Sequence, residues 1–153
     1  MTNGFKILLL GHNGWIGNMI YKLLDEQNID FRITEFRADD KNNIENLISQ
    51  SNFTHVICTI GRTHGDGLGI DYLEKPGKLK ENVRDNLFAP VLLAILCQKY
   101  GLHLTYFGTA HIYNYDNDHP FGKELNGFTE ESLPNYYESS YAVVKAYADE
   151  LMH

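Results

Sequence analysis

Short apolar runs alternate along the chain with stretches whose apolar positions recur every three or four residues. Ile7 to Leu10 is a continuous apolar run. Trp15, Ile16, Met19, Ile20, Leu23 and Leu24 follow at helical spacing, so a buried strand passes directly into an amphipathic helix. "NIDFRITEF" (28–36) predicts a second strand, and "DDKNNIENLISQ" (39–50) a short helix capped by Asp39 or Asp40. "THVICTIG" (54–61) predicts a third strand whose unbroken apolar character suits burial on both faces. Residues 62–76 are glycine-rich and irregular, and 77–100 predict a long helix kinked at Pro90. "LHLTYFG" (102–108) is a fourth strand, 109–137 a long polar and aromatic loop, and "SSYAVVKAYADELMH" (139–153) a closing helix. Strand and helix alternating in this way predict a doubly wound α/β fold on a parallel sheet, with no repeat, low-complexity tract or linker.

The length of 153 residues fits a single domain over 1–153, long enough for a real core but short for a two-lobed enzyme. A formal net charge of -7 without a basic run argues against nucleic acid or an anionic membrane surface as partner. No apolar stretch approaches the roughly 20 residues of a membrane span. "MTNGFK" leads straight into a strand, so no signal peptide and a cytoplasmic location are expected. Cys58 and Cys97 sit among apolar neighbours without C-x-x-C spacing and are expected as reduced core thiols. The scattered histidines offer no pair at metal spacing, so no metal site is expected.

Two patterns carry candidate chemistry. Gly11, Gly14 and Gly17 punctuate the first strand-to-helix junction as G-x-x-G-x-x-G. There the first glycine makes a tight turn, the second lets backbone approach a pyrophosphate, and the third lets the helix sit close on the strand. The free N–H groups of the helix N-terminus then face the anion. A glycine-rich turn before an amphipathic helix, with no ligand, fits the same spacing. The second pattern is Tyr141 and Lys145, four apart and therefore on one helix face. A cation beside a phenol lowers its pKa from about 10 toward the working range of an acid or base. With ten tyrosines in the chain, an exposed surface pair fits equally well. The order of the pieces adds weight: glycine motif, Asn86 in the long helix, Thr109 after a later strand, then Tyr141 and Lys145.

In that order the chain resembles the extended short-chain dehydrogenase/reductase family. More narrowly it resembles the dTDP-4-dehydrorhamnose reductase group and the UDP-4-keto-6-deoxyglucose 3,5-epimerase/4-reductases of plants and giant viruses. The matching stretches are "GHNGWIG", "THVICTIGRT", "IDYLEKPGKLKENVRDNLFAPVLLAILCQKYGLHLTYFGT", "IYNYDNDHPFG" and "NGFTEESLPNYYESSYAVVKAYADELMH". The last two are the specific ones. The resemblance implies a Rossmann NAD(P)-binding fold and a reaction delivering hydride to C4 of a nucleotide-linked 4-keto-6-deoxyhexose. It implies Tyr141 as proton donor to the ketone, Lys145 as its partner and ribose ligand, and Thr109 as the hydroxyl orienting the carbonyl. Asn86 would support the lysine through water. The dinucleotide would lie along Gly11, Asn13, Gly14, Trp15, Ile16 and Gly17, with Gly61 after the third strand.

Glu35, 18 residues beyond Gly17, suits the ribose hydroxyls of NAD(H), whereas Arg37 matches an arginine that related reductases set against the 2′-phosphate of NADP(H). The expectation leans to NADP(H) with NAD(H) tolerated. The family implies a homodimer through the helices near Asn86 and 139–152, with Val91, Leu92, Ile95, Val144 and Leu151 facing either a partner or the core. Two departures matter. His111 stands where these epimerase/reductases carry a cysteine, and Ala110 where they carry a glycine, so the imidazole either faces the sugar in its place or is a loop residue without a role. The resemblance also stops at His153, where family members continue for well over a hundred residues. The expectation is therefore the cofactor-binding half, lacking the C-terminal substrate lobe. A noncatalytic dinucleotide-binding or scaffold protein derived from such an enzyme is the alternative.

Overall fold

A computed structural model describes residues 4–123 and 126–152. Four parallel strands form one sheet in the order β2-β1-β3-β4, with β1 at Lys6–Leu10, β2 at Asp30–Ile33, β3 at His55–Cys58 and β4 at His103–Tyr106. Leu8 stands opposite both Arg32 and Val56, and Val56 opposite Leu104. The helices are α1 (Trp15–Glu26), α2 (Lys41–Ser49), α3 (Leu79–Val83), α4 (Ala89–Tyr100) and α5 (Ser140–Met152).

The period-two geometry of strands sends Leu8, Leu10, Val56 and Cys58 to one face, where Ile44, Leu47 and Ile48 of α2 and Leu92, Leu93 and Leu96 of α4 close the larger core. Ile7 and Leu9 point to the other face, where Leu24, Ile20 and Tyr21 of α1 cover them. Helices therefore lie on both faces, as a doubly wound sheet requires. β3 nevertheless alternates half-buried His55 and Ile57 with buried Val56 and Cys58. Its unbroken apolar sequence thus overstates its cover, because only α1 packs on that face among the described residues. The second and third strands are shorter than their apolar runs.

Two local differences follow from backbone chemistry. The segment 62–76 contains a 3₁₀ helix, Ile70–Glu74, anchored by buried Tyr72 and Leu73. Pro90 does not simply kink a long helix. It has no N–H, and its ring crowds the carbonyl four residues earlier, that of Asn86. The chain accommodates this with a π-turn at Arg84–Phe88, where the Ala89 N–H reaches back to the Arg84 carbonyl, and the helical backbone runs on into α4 with proline in its first turn. Asp85 and Asn86 ride on that turn and are buried.

Candidate functional site

The strand order reverses between β1 and β3: the chain leaves β1 for β2 on one side and returns to β3 on the other. Loops from the carboxyl ends of these neighbours diverge and leave a crevice, the usual ligand position in open α/β sheets. Two adjoining clefts of about 380 and 400 Å³ occupy it, sharing Gly14, Thr59, Ile60, Gly61 and His64. One runs toward Arg37, Ala38, Asp39 and Asp85, the other toward Phe107, Gly108, Tyr141 and Lys145. Together they form one groove.

At its middle lies the glycine junction. Gly11 takes φ +93°, a conformation that L side chains rarely adopt, and any Cβ there would strike Thr59. A methyl on Gly17 would drive into the Gly11 carbonyl, so the third glycine lets α1 sit close on β1. A Cβ on Gly14 would lie 3.3 Å from the Gly11 carbonyl oxygen, tight but tolerable, on a residue otherwise open to the groove. Among the described residues no side chain caps α1, and its first turn holds no acid. Its N–H groups are thus available to an anion. Trp15 and Ile16 line the mouth. Asn13 is exposed on the turn, and Glu35 extends into solvent 3.7 Å from His12; neither lines the groove. Arg37 does line it, held by Asp39 and Asp85.

Asn86 is fully buried, and its protein partners are Arg62 and Asn82. Its amide donates to the Arg62 carbonyl (2.9 Å) and to Asn82 Oδ1 (2.9 Å), and its Oδ1 accepts from the Arg62 N–H (2.8 Å). Asn82 in turn donates to Ser140 Oγ at 2.9 Å. A chain of buried amides thus ties the loop after β3, including Gly61, to the start of α5.

That start is capped from the 3₁₀ helix. Glu74 accepts from the Ser140 and Tyr141 N–H groups at 2.9 and 3.1 Å, and Ser139 Oγ accepts from Ala142 N–H. Tyr141 is thereby fixed near Thr109, whose hydroxyl eases ionisation of the phenol. Burial pushes the Tyr141 phenol up, and the Thr109 hydroxyl only partly offsets this. The expected lowering by Lys145 is not what this arrangement shows. The Lys145 ammonium, 4% exposed, bonds the Tyr106 hydroxyl instead, and desolvation brings its pKa down to about 8. His111 is exposed in a turn closed by its own N–H on Thr109 Oγ1. Its ring still sits 5.9 Å from that of Tyr141, centroid to centroid.

Thr109, His111, Tyr141 and Lys145 therefore gather at one end of the groove. Residues that sequence reasoning missed are Thr59, Arg62, His64, Asp39 and Asp85 along the groove and Glu74 behind it. Asp85 and Glu74 act through contacts far apart in sequence, which no local pattern announces. The Asp39 Oδ1 atom is buried, faces Arg37 Nε at 2.8 Å, and has no aligned hydrogen-bond donor among the described residues. The two form an ion pair on the groove wall. The uncapped helix terminus and the glycine cradle make a donor set that fits a dinucleotide. Among the described residues no cluster of metal-ligating side chains occurs.

The sequence profile of the NAD dependent epimerase/dehydratase family matches residues 7–153. The crystal structure of the L780 UDP-rhamnose synthase from Acanthamoeba polyphaga mimivirus superposes with a TM-score of 0.89 at 48% identity, over 97% of this chain and 51% of that one. A trifunctional UDP-glucose 4,6-dehydratase/UDP-4-keto-6-deoxy-D-glucose 3,5-epimerase/UDP-4-keto-L-rhamnose-reductase of Arabidopsis thaliana is 33% identical over 96% of this chain and 21% of its own length. A dTDP-4-dehydrorhamnose reductase from Bacillus anthracis, solved with NADP, shares the fold at a TM-score of 0.77 and 16% identity, over 97% of this chain and 48% of that one. The chain spans about half the length of L780.

Proposed function

The chain belongs to the NAD dependent epimerase/dehydratase family, and from that premise we propose that it forms the dinucleotide-binding half of an NAD(P)H-dependent reductase acting on a nucleotide-linked 4-keto-6-deoxy sugar. The observation that carries this reading is the single groove with the glycine junction at its middle and Thr109, Tyr141 and Lys145 at one end. The printed activities of L780 and the Arabidopsis relative supply the sugar class.

In this reading the N–H groups of Trp15, Ile16 and Gly17 would hold the pyrophosphate, and Lys145 would hold the nicotinamide ribose. The reduced nicotinamide, when bound, supplies hydride to C4 of the sugar. Tyr141, kept protonated by burial, gives its proton to the ketone oxygen, and Thr109 accepts and donates beside it to hold the carbonyl in line. His111 at the same end is the candidate for an epimerising acid or base. Proton transfer needs the ketone oxygen within about 3 Å of the phenol, and that placement draws on binding the remote nucleotide.

Positioning of this kind is worth many powers of ten, with effective molarities up to roughly 10⁸ M. The 153 residues alone are therefore expected to hold the dinucleotide without turning over the sugar. Incubation with NADPH and UDP-4-keto-6-deoxyglucose should leave the nicotinamide absorbance unchanged. A chimaera carrying the second half of L780 should consume NADPH and lose that activity with Tyr141→Phe. Sustained, Tyr141-dependent oxidation by the chain alone would contradict the half-enzyme reading. Turnover by the chimaera that survives Tyr141→Phe would remove Tyr141 from the chemistry.

A further inference from the structure

Lys145 carries a charge into the wall of the groove with no carboxylate bonded to it among the described residues. It is 4% exposed, and the hydrogen bond its ammonium makes there goes to the Tyr106 hydroxyl. An ammonium has three donors, so two remain beyond that bond. Buried donors are costly unless a partner reaches them, and Lys145 lines the cleft that also holds Gly14 and Gly17.

Tyr106 comes to this place from the sheet. It stands opposite Cys58 in the register of β3 and β4, on the face that carries the larger core. It lines a separate cavity of about 400 Å³ with Gln98 and Asp149, and not the cleft. The lysine thus has the phenol behind it and the cleft before it. The charges that reach Lys145 are few. Cys58 is neutral near pH 7, because burial pushes its thiol up to about 11. Asp149, one turn along α5, favours the charged lysine without bonding it. On the elements packed against α5, Glu74 is taken up by the helix start, Glu81 by Lys78 and Tyr72, and Asp85 by its arginines. His64 and Tyr141 share the cleft. Tyr106 is left as the direct acceptor.

We propose that Tyr106 is a positioning residue for Lys145: it holds one ammonium hydrogen, presents the other two to ligand hydroxyls in the cleft, and keeps the buried lysine charged. Tyr106 itself touches no ligand. In the dinucleotide reading, on which the proposal rests, those hydroxyls are the nicotinamide ribose diol. A charged donor bonds an oxygen more strongly than a neutral amine does. The phenol therefore opposes the desolvation that brings the lysine down to about 8. Without it the proton would leave at lower pH, and the two remaining donors would lose their fixed direction.

The test is Tyr106→Phe in the 153-residue chain, read in two ways. Side-chain NMR of isotope-labelled lysine, with Lys145 identified by its loss in Lys145→Met, should show titration near pH 8 in the unaltered chain. In Tyr106→Phe it should fall about one pH unit lower. Calorimetric titration with NADPH between about pH 6.5 and 9.5 should show affinity declining above about pH 8 in the unaltered chain and about one unit earlier in the variant. At the acid end the variant should still bind roughly threefold to tenfold more weakly. A merely structural role would weaken binding without moving the pH at which it declines. Should Tyr106→Phe lose its circular dichroism signal, Tyr106→Leu, which also lacks the acceptor, takes its place. Titration of Lys145 at the same pH in both chains would overturn the proposal. Failure of the unaltered chain to bind NADPH would overturn the dinucleotide reading, and the NMR titration, which needs no ligand, would still decide the Tyr106 contact.

Discussion

Lys145 shows how one side chain sets a balance between stability and chemistry. Its ammonium is buried against Tyr106, and desolvation lowers its pKa from 10.5 to about 8. Below pH 8 the lysine is protonated in both folded and unfolded chains, and the folded state bears the full cost of the buried charge. Between pH 8 and 10.5 the folded state releases the proton while the unfolded state keeps it, so stability rises with pH across that window. The whole effect is about 3 kcal/mol. Lys145→Met keeps the length, loses the charge and leaves the Tyr106 hydroxyl without its partner. It should raise stability at pH 7 by roughly 1–2 kcal/mol, and urea unfolding at several pH values should show the alkaline rise flattened. Unchanged stability with the rise intact would mean that the rise comes from other groups and that the Lys145 charge is not costly. The Tyr141 and Lys145 spacing was legible in the sequence, but the bond to Tyr106 was not, because it joins α5 to a strand 39 residues earlier.

At the scale of elements, the decisive feature is the π-turn before Pro90. One extra residue in the turn rotates Asp85 and Asn86 inward, where Asn86 grips the Arg62 main chain and Asn82 reaches Ser140. π-turns inside helices often mark functional positions, and here the turn couples the loop after β3 to the helix bearing Tyr141. Asn86→Ala would leave the Arg62 N–H and C=O and the Asn82 amide oxygen unpaired in the interior. The expected loss is about 3 kcal/mol in urea unfolding, together with weaker dinucleotide binding from a loosened Gly61–Arg62 loop. A loss under about 1 kcal/mol would show that these groups find other partners. Sequence pattern located the helix and the proline. It did not predict how the chain absorbs the missing N–H, since a kink, a break and a π-turn all satisfy the same local chemistry. The Asp40 cap of α2 was legible for the opposite reason: its side chain accepts from the Asn43 N–H, a contact contained within four residues.

For the molecule as a whole, the doubly wound parallel fold followed from the alternation of strands and helices, and the first strand-to-helix junction from the glycine spacing, because both patterns rest on short-range geometry. Assembly is less directly written. Of the apolar residues expected to face a partner, Leu92 and Val144 are buried in the domain itself, Val91 is half-buried, and Ile95 and Leu151 are 57% and 65% exposed. With exposed Phe88 on the π-turn and Tyr147 on α5, they leave apolar surface on the π-turn and on α4 and α5. Self-association through those helices should give a dimer mass by light scattering at tens of micromolar, dispersed by Ile95→Lys; a monomer at that concentration would contradict it.

The central claim is that the glycine junction holds a dinucleotide pyrophosphate, and calorimetric titration with NADPH tests it most directly. The unaltered chain should bind one NADPH per protomer. Gly14→Val, which puts a branched side chain where the phosphate would approach backbone, should abolish binding while far-ultraviolet circular dichroism stays unchanged. Absence of binding by the unaltered chain, or unaltered affinity in Gly14→Val, would contradict the account.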